Sequence, residues 1–268
     1  MSAPLPSDLQ VEIAALAKRA GAEILQVYSQ PFDVTRKQDQ SPLTQADLRA
    51  HTVIVRKLGE LTPDVPVLSE EASDIPYEQR RRWSRYWLVD PLDGTKEFVS
   101  RNGEFTVNIA LIEQHVPVLG VVHVPVKNTT YVGSSDGAFR QTGDKRYEPI
   151  RVRAPAALPV RVVGSRSHAA PGSLDTLLEQ LGAHTLLSVG SSLKFCLIAE
   201  GNADFYPRFG PTSEWDTAAA QAVVEAAGGA VVDVHGQPLR YNTKAELLNP
   251  AFFAFGDRAR RWPGIRDR

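Results

Sequence analysis

Two aspartates follow a short apolar strand in the segment WLVDPLDGTKEF, residues 87–98. Asp90 ends the strand, and Pro91 and Leu92 turn the chain so that Asp93 can face the same point. Two carboxylates this close repel each other unless a cation lies between them. Carboxylate oxygens suit Mg²⁺, which takes one or two of them together with water and substrate phosphate. The pair therefore predicts a magnesium site.

Gly94 and Thr95 come directly after the second aspartate. Gly94 allows the backbone to approach a ligand closely, and Thr95 begins a helical turn. The free N–H groups and the dipole of such a turn can bind a phosphate, so a phosphate site is expected beside the metal site. An ordinary Asp-Gly turn explains Asp93 and Gly94 equally well, and other residues must decide between the two interpretations.

Further acidic residues stand where helices or strands begin and end. Glu70 and Glu71 follow the apolar stretch VPVL, Asp216 lies in the first turn of a helix with small residues, and Asp47 follows Thr44 by three positions. Each has a purely structural explanation. The glutamates can be a solvated helix start, Asp216 can be an N-cap that interacts with the helix dipole, and Asp47 can complete a capping box with Thr44.

Two different patterns of elements surround these residues. Ser7 begins a helix that runs to about Tyr28, and Thr44 begins a second one, because apolar residues recur at spacings of three and four. The stretches VPVLS, WLVD, FTVNIALI, PVLGVVHVP and TTYVGS then predict strands, the later ones in an antiparallel meander. Beyond a polar segment at 141–158, short strands alternate with helices, which is typical of an α/β unit. We therefore divide the chain into domains 1–145 and 146–268.

Composition excludes several classes of function. The chain has 268 residues, 43% of them hydrophobic, and a net charge of −1 from 30 basic and 31 acidic residues, so no overall field attracts a nucleic acid polymer. The single Cys196 excludes an intrachain disulfide and fits a buried structural thiol. No export signal and no apolar run near the roughly 18 residues of a membrane span is evident. We expect the cytoplasm, with peripheral association at the inner membrane left open.

The order of these motifs resembles the lithium-sensitive, magnesium-dependent phosphatases of the inositol monophosphatase superfamily. The signature comprises an acidic pair after a strand, Asp-Pro-(Ile/Leu)-Asp-Gly-(Thr/Ser), and a distant Trp-Asp-x-Ala. This chain has Glu70-Glu71, the run from Asp90 to Thr95, and Trp215-Asp216-Thr217-Ala218 in that order, and the similarity extends from Lys37 to Gly229. The resemblance implies an α/β fold of alternating α/β/α/β/α layers.

The resemblance also implies a site and a mechanism. Two or three magnesium ions would bind a set of side chains and one backbone carbonyl. That set consists of Glu70, Asp90, Asp93, Asp216 and the carbonyl of Leu92. Asp47 and Thr95 would position the attacking water and help to deprotonate it. Water would attack the phosphate directly, without a phosphoenzyme.

Within the superfamily, the sequence is most similar to the 3'(2'),5'-bisphosphate nucleotidases. The similarity is carried by KQDQSPLTQAD at 37–47, GSRSH at 164–168, and GSSLK at 190–194 leading to YPRFGPT at 206–212. The resemblance implies hydrolysis of adenosine 3',5'-bisphosphate, a by-product of sulfate assimilation, to AMP. The implied nucleotide-binding residues are Ser165, His168, Gly190, Ser191, Lys194 and Arg208. Inositol monophosphatases tend to have an acidic residue where Arg208 falls.

Structural alternatives exist for three of the basic features. Lys194 can be a surface lysine whose stem covers apolar neighbours, Arg208 can pair with Glu214, and the basic run 80–85 predicts a solvated helix end. An inositol monophosphatase or a fructose 1,6-bisphosphatase-like activity is the competing enzyme function. A noncatalytic metal-dependent binding module on the same fold is the other alternative, although the full acidic set favours an enzyme. Monomer and homodimer are both open.

Overall fold

The computed structural model describes residues 6–36, 42–164 and 173–266. Within these residues the chain forms seven α-helices. They are α1 (Asp8–Tyr28), α2 (Gln45–Leu61), α3 (Tyr77–Arg80), α4 (Thr95–Val99), α5 (Ser173–Leu181), α6 (Leu193–Ala199) and α7 (Glu214–Ala226). Ser7 and Thr44 are the N-cap residues of α1 and α2, which confirms both predicted helix starts.

The first part of the chain forms a two-stranded pair and a seven-stranded sheet. The pair consists of β1 (Val34–Arg36) and β2 (Pro42–Thr44). The sheet contains β3 (Val67–Ser69), β4 (Arg85–Asp93), β5 (Thr106–Glu113), β6 (Val116–Val124), β7 (Thr129–Ser134), β8 (Gly137–Thr142) and β9 (Glu148–Pro149), in that spatial order. Strands β3 and β4 are parallel, and every later pair is antiparallel. The predicted meander is confirmed.

The second part forms a mixed five-stranded sheet. Its strands are β10 (Val160–Gly164), β11 (His184–Ser188), β12 (Phe205–Arg208), β13 (Ala230–Asp233) and β14 (Phe252–Phe255). Their spatial order is β11-β10-β12-β14-β13. Strand β10 is parallel to β11 and β12, whereas β14 is antiparallel to its two neighbours. Crossover helices connect the parallel strands, as such connections require.

The helices and the two sheets stack in five layers, which are joined by three buried clusters. The first lies between helices α1 and α2 and one face of the seven-stranded sheet, the second joins the opposite face to α6, α7 and the five-stranded sheet, and the third lies between that sheet and α5. Representative members are, in the same order, Ile24 with Val89, Leu88 with Phe195, and Leu177 with Phe253. Consecutive strand residues face opposite sides of a sheet, so Val89 and Leu88 enter different clusters. The predicted α/β/α/β/α layering is confirmed.

Small residues let α7 lie directly on the seven-stranded sheet. A Cβ atom at Gly120 of β6 would come within 2.0 Å of the Ala219 carbonyl oxygen, and one at Gly133 of β7 within 2.5 Å of the Val223 Cα. Only glycine permits such an approach of two backbones. Because α7 is held this close, its first turn is brought to the end of β4.

The middle layer belongs to both halves of the chain. Its buried cluster contains Val122 from the first half and Phe195 from the second, so the two halves share one core. The division into domains 1–145 and 146–268 stays a prediction. Cys196 in the same cluster is fully buried, as expected.

The basic run at 80–85 corrects one expectation from the sequence. Arg81 and Arg82 are exposed as predicted, but Arg80 is buried. Its guanidinium donates hydrogen bonds to the Asn242 side chain and to the carbonyls of Lys244 and Ala245. A buried arginine needs such partners, and those of Arg80 lie more than 160 positions away. Local sequence therefore could not distinguish it from its exposed neighbours.

None of the helices in the described ranges combines the length and the apolar character needed to cross a membrane.

The buried His123 on β6 predicts a pH effect on stability. Burial lowers its pKa to about 4, with a smaller contribution from Lys18, and its Nδ1 lies 2.9 Å from the Thr130 hydroxyl. The unfolded chain thus binds a proton near pH 6.5 that the folded chain binds only near pH 4. Between these values the free energy of unfolding should decrease as pH falls, by at most roughly 3 kcal/mol from this residue.

Urea unfolding at several pH values between 4 and 7 measures this effect. The comparison is between the wild type and His123→Asn, which keeps a polar group for Thr130 but does not titrate. We expect the wild-type stability to depend more steeply on pH. Equal slopes in the two proteins would show that His123 does not contribute.

Candidate active site

Strand β4 brings Asp90, Leu92 and Asp93 together at its end. Its register with β5 shifts between Asp90 and Asp93, and irregularities of this kind commonly redirect side chains at functional sites. Asp90 is 1% exposed, and its Oδ1 accepts a hydrogen bond from the Leu92 N–H at 3.0 Å. This contact stabilises the turn that places Asp93 beside Asp90.

Asp216 joins the two aspartates from the second half of the chain. One carboxylate oxygen from each of Asp90, Asp93 and Asp216 lies within 4.8 Å of the other two. The alternative that Asp216 is an N-cap is wrong, because Ser213 is the N-cap of α7. Asp216 is the third helical residue and completes a capping box, in which its Oδ2 accepts a hydrogen bond from the Ser213 N–H at 2.8 Å.

Glu70 is the fourth carboxyl group of the cluster. It follows β3, the parallel neighbour of β4, and its N–H donates to the Val89 carbonyl at 3.1 Å. Burial raises the pKa of Asp90 well above its ordinary value, and the neighbouring carboxylates, Glu70 foremost, raise it further. Burial raises the pKa of Asp216 as well, and the nearby Asp93 and Glu70 carboxylates raise it further.

A hard cation would relieve this repulsion. Carboxylate and carbonyl oxygens at close quarters are the donors that Mg²⁺ and similar divalent ions prefer. The cluster contains four carboxyl groups. The Leu92 carbonyl, which lies between Asp90 and Asp93 in the sequence, is 3.3 Å from the Thr95 hydroxyl. The donor set therefore fits a divalent metal ion.

Asp47 has two roles, one for each oxygen. Oδ2 accepts hydrogen bonds from the Thr44 N–H at 2.8 Å and from the Thr44 hydroxyl at 2.7 Å, which confirms the predicted capping box. Oδ1 accepts a hydrogen bond from the Thr95 hydroxyl at 3.2 Å. Asp47 therefore caps helix α2 and also contacts Thr95. The capping bonds orient its carboxylate toward Thr95.

Gly94 adopts the backbone conformation that the turn requires. Its φ of 91° lies in the left-handed region, and it precedes the five-residue helix α4, which begins at Thr95. A Cβ atom at Gly94 would meet the Glu104 carbonyl oxygen and the Ser191 Cβ, each at 3.2 Å. Only glycine avoids both the unfavourable φ and these contacts. The first turn of α4 thereby opens toward the loop that contains Ser191.

The loop 189–192 faces the aspartates from the C-terminal half. The Gly190 N–H donates to Glu104 Oε2 at 2.8 Å, and the Ser192 N–H donates to Asp93 Oδ2 at 2.5 Å. Ser191 between them has a φ of 49°. The sequence motif indicated Gly190 and Ser191, but Glu104 and Ser192 were missed, because their partners lie 86 and 99 positions away.

Lys194 is not the surface lysine of the structural alternative. It is 4% exposed, and its ammonium donates to the carbonyls of Val189 at 3.2 Å and Ser191 at 2.5 Å. The Nζ atom also lies 5.3 Å from the centroid of the Tyr206 ring. Burial lowers the pKa of Lys194 to about 8, while the nearby Asp93 favours the charged form.

Arg208 is buried at the end of β12. Its guanidinium donates to the carbonyls of Gly210 at 3.2 Å and Pro211 at 2.8 Å. Glu214, the partner that the structural alternative assigned to Arg208, instead accepts a hydrogen bond from the Asn242 N–H at 2.8 Å. The contacts described here therefore do not support an Arg208–Glu214 pair.

One cavity connects the two groups of residues. Its volume is about 230 Å³, and its lining includes Asp93, Thr95 and Asp216 together with Lys194 and Arg208. Gly94, Gly190 and Ser191 also line it. The predicted nucleotide-binding residues Ser165 and His168 lie outside the described residues. A cation held by the carboxylates and the side chains of Lys194 and Arg208 could together bind a ligand with more than one anionic group.

Comparisons with known proteins agree with this geometry. The model of the inositol monophosphatase family matches residues 7–257. The chain is 55% identical over 244 residues to the 3'(2'),5'-bisphosphate nucleotidase CysQ of Escherichia coli K12, covering 90% of this chain and 97% of that protein. It is 36% identical over 255 residues to the protein of the same name from Haemophilus influenzae, covering 95% of each.

Solved structures show the same relationship. The crystal structure of CysQ from Bacteroides thetaiotaomicron, described as a bacterial member of the inositol monophosphatase family, is similar with a TM-score of 0.81 and 45% identity, covering 94% of this chain and 99% of that one. The Thermotoga maritima IMPase is similar with a TM-score of 0.75 and 25% identity, covering 93% and 92% of the two chains.

Proposed function

Because the chain belongs to the inositol monophosphatase family, we propose that it is a magnesium-dependent 3'(2'),5'-bisphosphate nucleotidase. It removes one phosphate from adenosine 3',5'-bisphosphate and leaves AMP. The observation that carries this proposal is the cavity that joins the carboxylate cluster to Lys194 and Arg208. The name of its relatives in Escherichia coli and Haemophilus influenzae supports the same substrate class.

Two or three Mg²⁺ ions would be held by the carboxylate cluster and one carbonyl. The residues that would hold them are Glu70, Asp90, Asp93, Asp216 and the carbonyl of Leu92. When bound, the ions lower the pKa of a water molecule and neutralise charge on the phosphate oxygens. The protein contributes the positions of these ligands on two strand ends and one helix turn, which come from both halves of the chain.

Thr95 and Asp47 orient the attacking water. The Thr95 hydroxyl donates to Asp47 Oδ1, so its oxygen lone pairs are available to accept a hydrogen bond from water. Asp47 Oδ2 is already bound to Thr44, which leaves Oδ1 as the acceptor for this relay. The pair thereby directs a lone pair of the water toward phosphorus and helps to remove its proton.

The cleaved phosphate and the retained phosphate occupy two separate positions in the cavity. Gly94 and Thr95 receive the cleaved phosphate at the first turn of α4, next to the metals. Lys194 and Arg208 receive the retained phosphate through charge-assisted hydrogen bonds. Gly190 and Ser191 contact the part of the nucleotide that lies between the two phosphates. The roles of Ser165 and His168 stay predictions.

Phosphate release from a panel of substrates tests the proposal. The panel contains adenosine 3',5'-bisphosphate, 3'-AMP, inositol 1-phosphate and fructose 1,6-bisphosphate, each with and without Mg²⁺. We expect the highest kcat/KM for the adenosine bisphosphate and no turnover without Mg²⁺. A higher kcat/KM for inositol 1-phosphate or the sugar bisphosphate would favour the competing enzyme function, and no turnover of any substrate would favour a binding module.

Arg208→Ala tests how the substrate is selected. A contact of this kind contributes roughly 1.5–3 kcal/mol, or about 10- to 150-fold in affinity. We expect kcat/KM for the bisphosphate to fall by that factor, while kcat/KM for 3'-AMP changes little because it has no second phosphate. The measured quantity is the ratio of the two kcat/KM values.

Arg101→Ala is a matched control for Arg208→Ala. Arg101 also donates to two backbone carbonyls, those of Tyr28 and Gln30, but it lies outside the cavity lining. Its replacement should leave the ratio unchanged. An unchanged ratio in Arg208→Ala as well would mean that Arg208 only stabilises the 210–211 backbone.

The predicted cytoplasmic location and the choice between monomer and homodimer are tested by cell fractionation and by light scattering of the purified protein.

A further inference from the structure

Three donor groups lie within hydrogen-bond distance of a single oxygen of Asp93. Its Oδ2 lies 2.5 Å from the Ser192 N–H nitrogen, 3.3 Å from the Thr106 hydroxyl and 3.4 Å from the Asn108 amide nitrogen. Thr106 and Asn108 point from β5 to the same side, because residues two apart on a strand share a face. Ser192 arrives from the opposite half of the chain, at the start of α6.

The same three residues are also bonded to one another. The Ser192 hydroxyl donates to Asn108 Oδ1 at 2.8 Å. The Thr106 hydroxyl lies 2.8 Å from Ser192 Oγ and is the donor of that pair, so its single proton serves either Ser192 or Asp93. Because a carboxylate oxygen only accepts, the Asn108 NH₂ group faces Asp93 and its Oδ1 faces Ser192. Thr106, Asn108 and Ser192 are each at most 2% exposed. We call these three residues the Asp93 clasp.

We propose that the Asp93 clasp is a positioning device for metal binding. By occupying Oδ2, it leaves Oδ1 as the oxygen that is available to a cation between Asp93, Asp90 and Asp216. Partners behind a metal ligand determine its orientation and its basicity, and their loss typically costs 10- to 100-fold in metal affinity or activity. This inference rests on the proposed metal site.

The clasp also links the metal site to the nucleotide loop. Ser192 follows Gly190 and Ser191, and Lys194 holds the carbonyls of Val189 and Ser191. Asp93 can therefore move only if the loop 189–192 moves with it. A cation that orders Asp93 consequently also orders the loop that contacts the nucleotide.

Two variants remove parts of the clasp while changing little volume. Thr106→Val replaces the hydroxyl by a methyl group, and Ser192→Ala removes the hydroxyl but keeps the N–H bond to Asp93. The readouts are the Mg²⁺ concentration that gives half of the metal-induced rise in Tm, which needs no substrate, and the Mg²⁺ concentration that gives half-maximal turnover. In each variant we expect both concentrations to rise by about 10-fold or more, with KM at saturating Mg²⁺ changed far less.

Controls separate positioning from a general loss of stability. Thr106→Ser retains the hydroxyl and should restore the wild-type Mg²⁺ response. Thr130→Val makes the same substitution as Thr106→Val at another buried threonine of the seven-stranded sheet, whose hydroxyl contacts His123. It should lower Tm without changing the Mg²⁺ concentration needed for half of the rise.

The two proposals fail in different ways. If Mg²⁺ does not raise the Tm of the wild type, the proposed metal site itself is wrong. If Mg²⁺ raises the wild-type Tm and the half-saturating concentration is unchanged in both Thr106→Val and Ser192→Ala, the metal site stands and the clasp is not a positioning device. Should Ser192→Ala fail to fold, Thr106→Val and Thr106→Ser decide the question between them.

Discussion

Asp90→Asn is expected to reduce kcat/KM by at least about 10³-fold, which corresponds to roughly 4 kcal/mol of transition-state stabilisation. The substitution keeps the size of the side chain and removes one charge from the centre of the carboxylate cluster. Asp90 is the most enclosed of the three clustered aspartates, so water cannot readily replace its lost ligand oxygen. Phosphate release from adenosine 3',5'-bisphosphate at saturating Mg²⁺ measures the effect.

The same variant should be more stable than the wild type when metal is absent. Burial and neighbouring carboxylates raise the pKa of Asp90, so the folded metal-free protein is destabilised by this group, and a neutral amide removes the cost. We expect the metal-free variant to have a higher Tm than the metal-free wild type. In excess Mg²⁺ we expect the wild type to have the higher Tm of the two proteins, because binding of the ion stabilises it.

Asp204→Asn is a matched control, since Asp204 is equally buried but bonded to Arg153 and Arg161. The identical substitution there leaves two arginines without their carboxylate and should lower the free energy of unfolding by about 3 kcal/mol, with a lower Tm and the Mg²⁺ response intact. Near-normal magnesium-dependent turnover in Asp90→Asn would contradict the metal assignment. A metal-free Tm below that of the wild type would contradict the repulsion argument.

Thr95→Ala should lower kcat by about 10²- to 10⁴-fold, the range for loss of a group that assists proton transfer. The proposed role of the hydroxyl is realised in the attack step, so KM should change little. The hydroxyl has one proton, with Asp47 Oδ1 at 3.2 Å and the Leu92 carbonyl at 3.3 Å as acceptors. The proposed role uses the bond to Asp47. Steady-state kinetics with the adenosine bisphosphate separate the two constants.

Thr95→Ser provides the rescue for this experiment, because serine keeps the hydroxyl and the preference for the start of a helix. We expect it to recover most of the wild-type kcat. If Thr95→Ala raises KM and leaves kcat intact, Thr95 anchors the phosphate and takes no part in activating water. Asp47 would then be explained by its capping bonds to Thr44 alone.

Sequence alone determined the parts of the site that are close together along the chain. Asp90, Leu92, Asp93, Gly94 and Thr95 lie within six residues, so covalent geometry places them at one turn whatever the rest of the fold does. The sequence also predicts the helix starts at Ser7 and Thr44 and the meander of β5 to β7. Capping residues and hydrophobic alternation are local signals, so they do not depend on the rest of the fold. The layer order came from resemblance to a family rather than from periodicity.

How residues far apart in the sequence come together depends on the packing of the layers. Thr106 and Asn108 belong to no motif, and they meet Ser192 around Asp93 because the start of β5 lies against the start of α6 across 86 positions of sequence. Arg80 and Arg81 are adjacent and of the same type, yet one is buried on the loop after Tyr241 and the other is exposed. The sequence around Lys194 is compatible with a surface side chain, and only the position of its two carbonyl partners in the fold makes it a buried one. Hydrogen bonds and burial of this kind depend on which surfaces the packed layers bring together, and local sequence does not encode that choice.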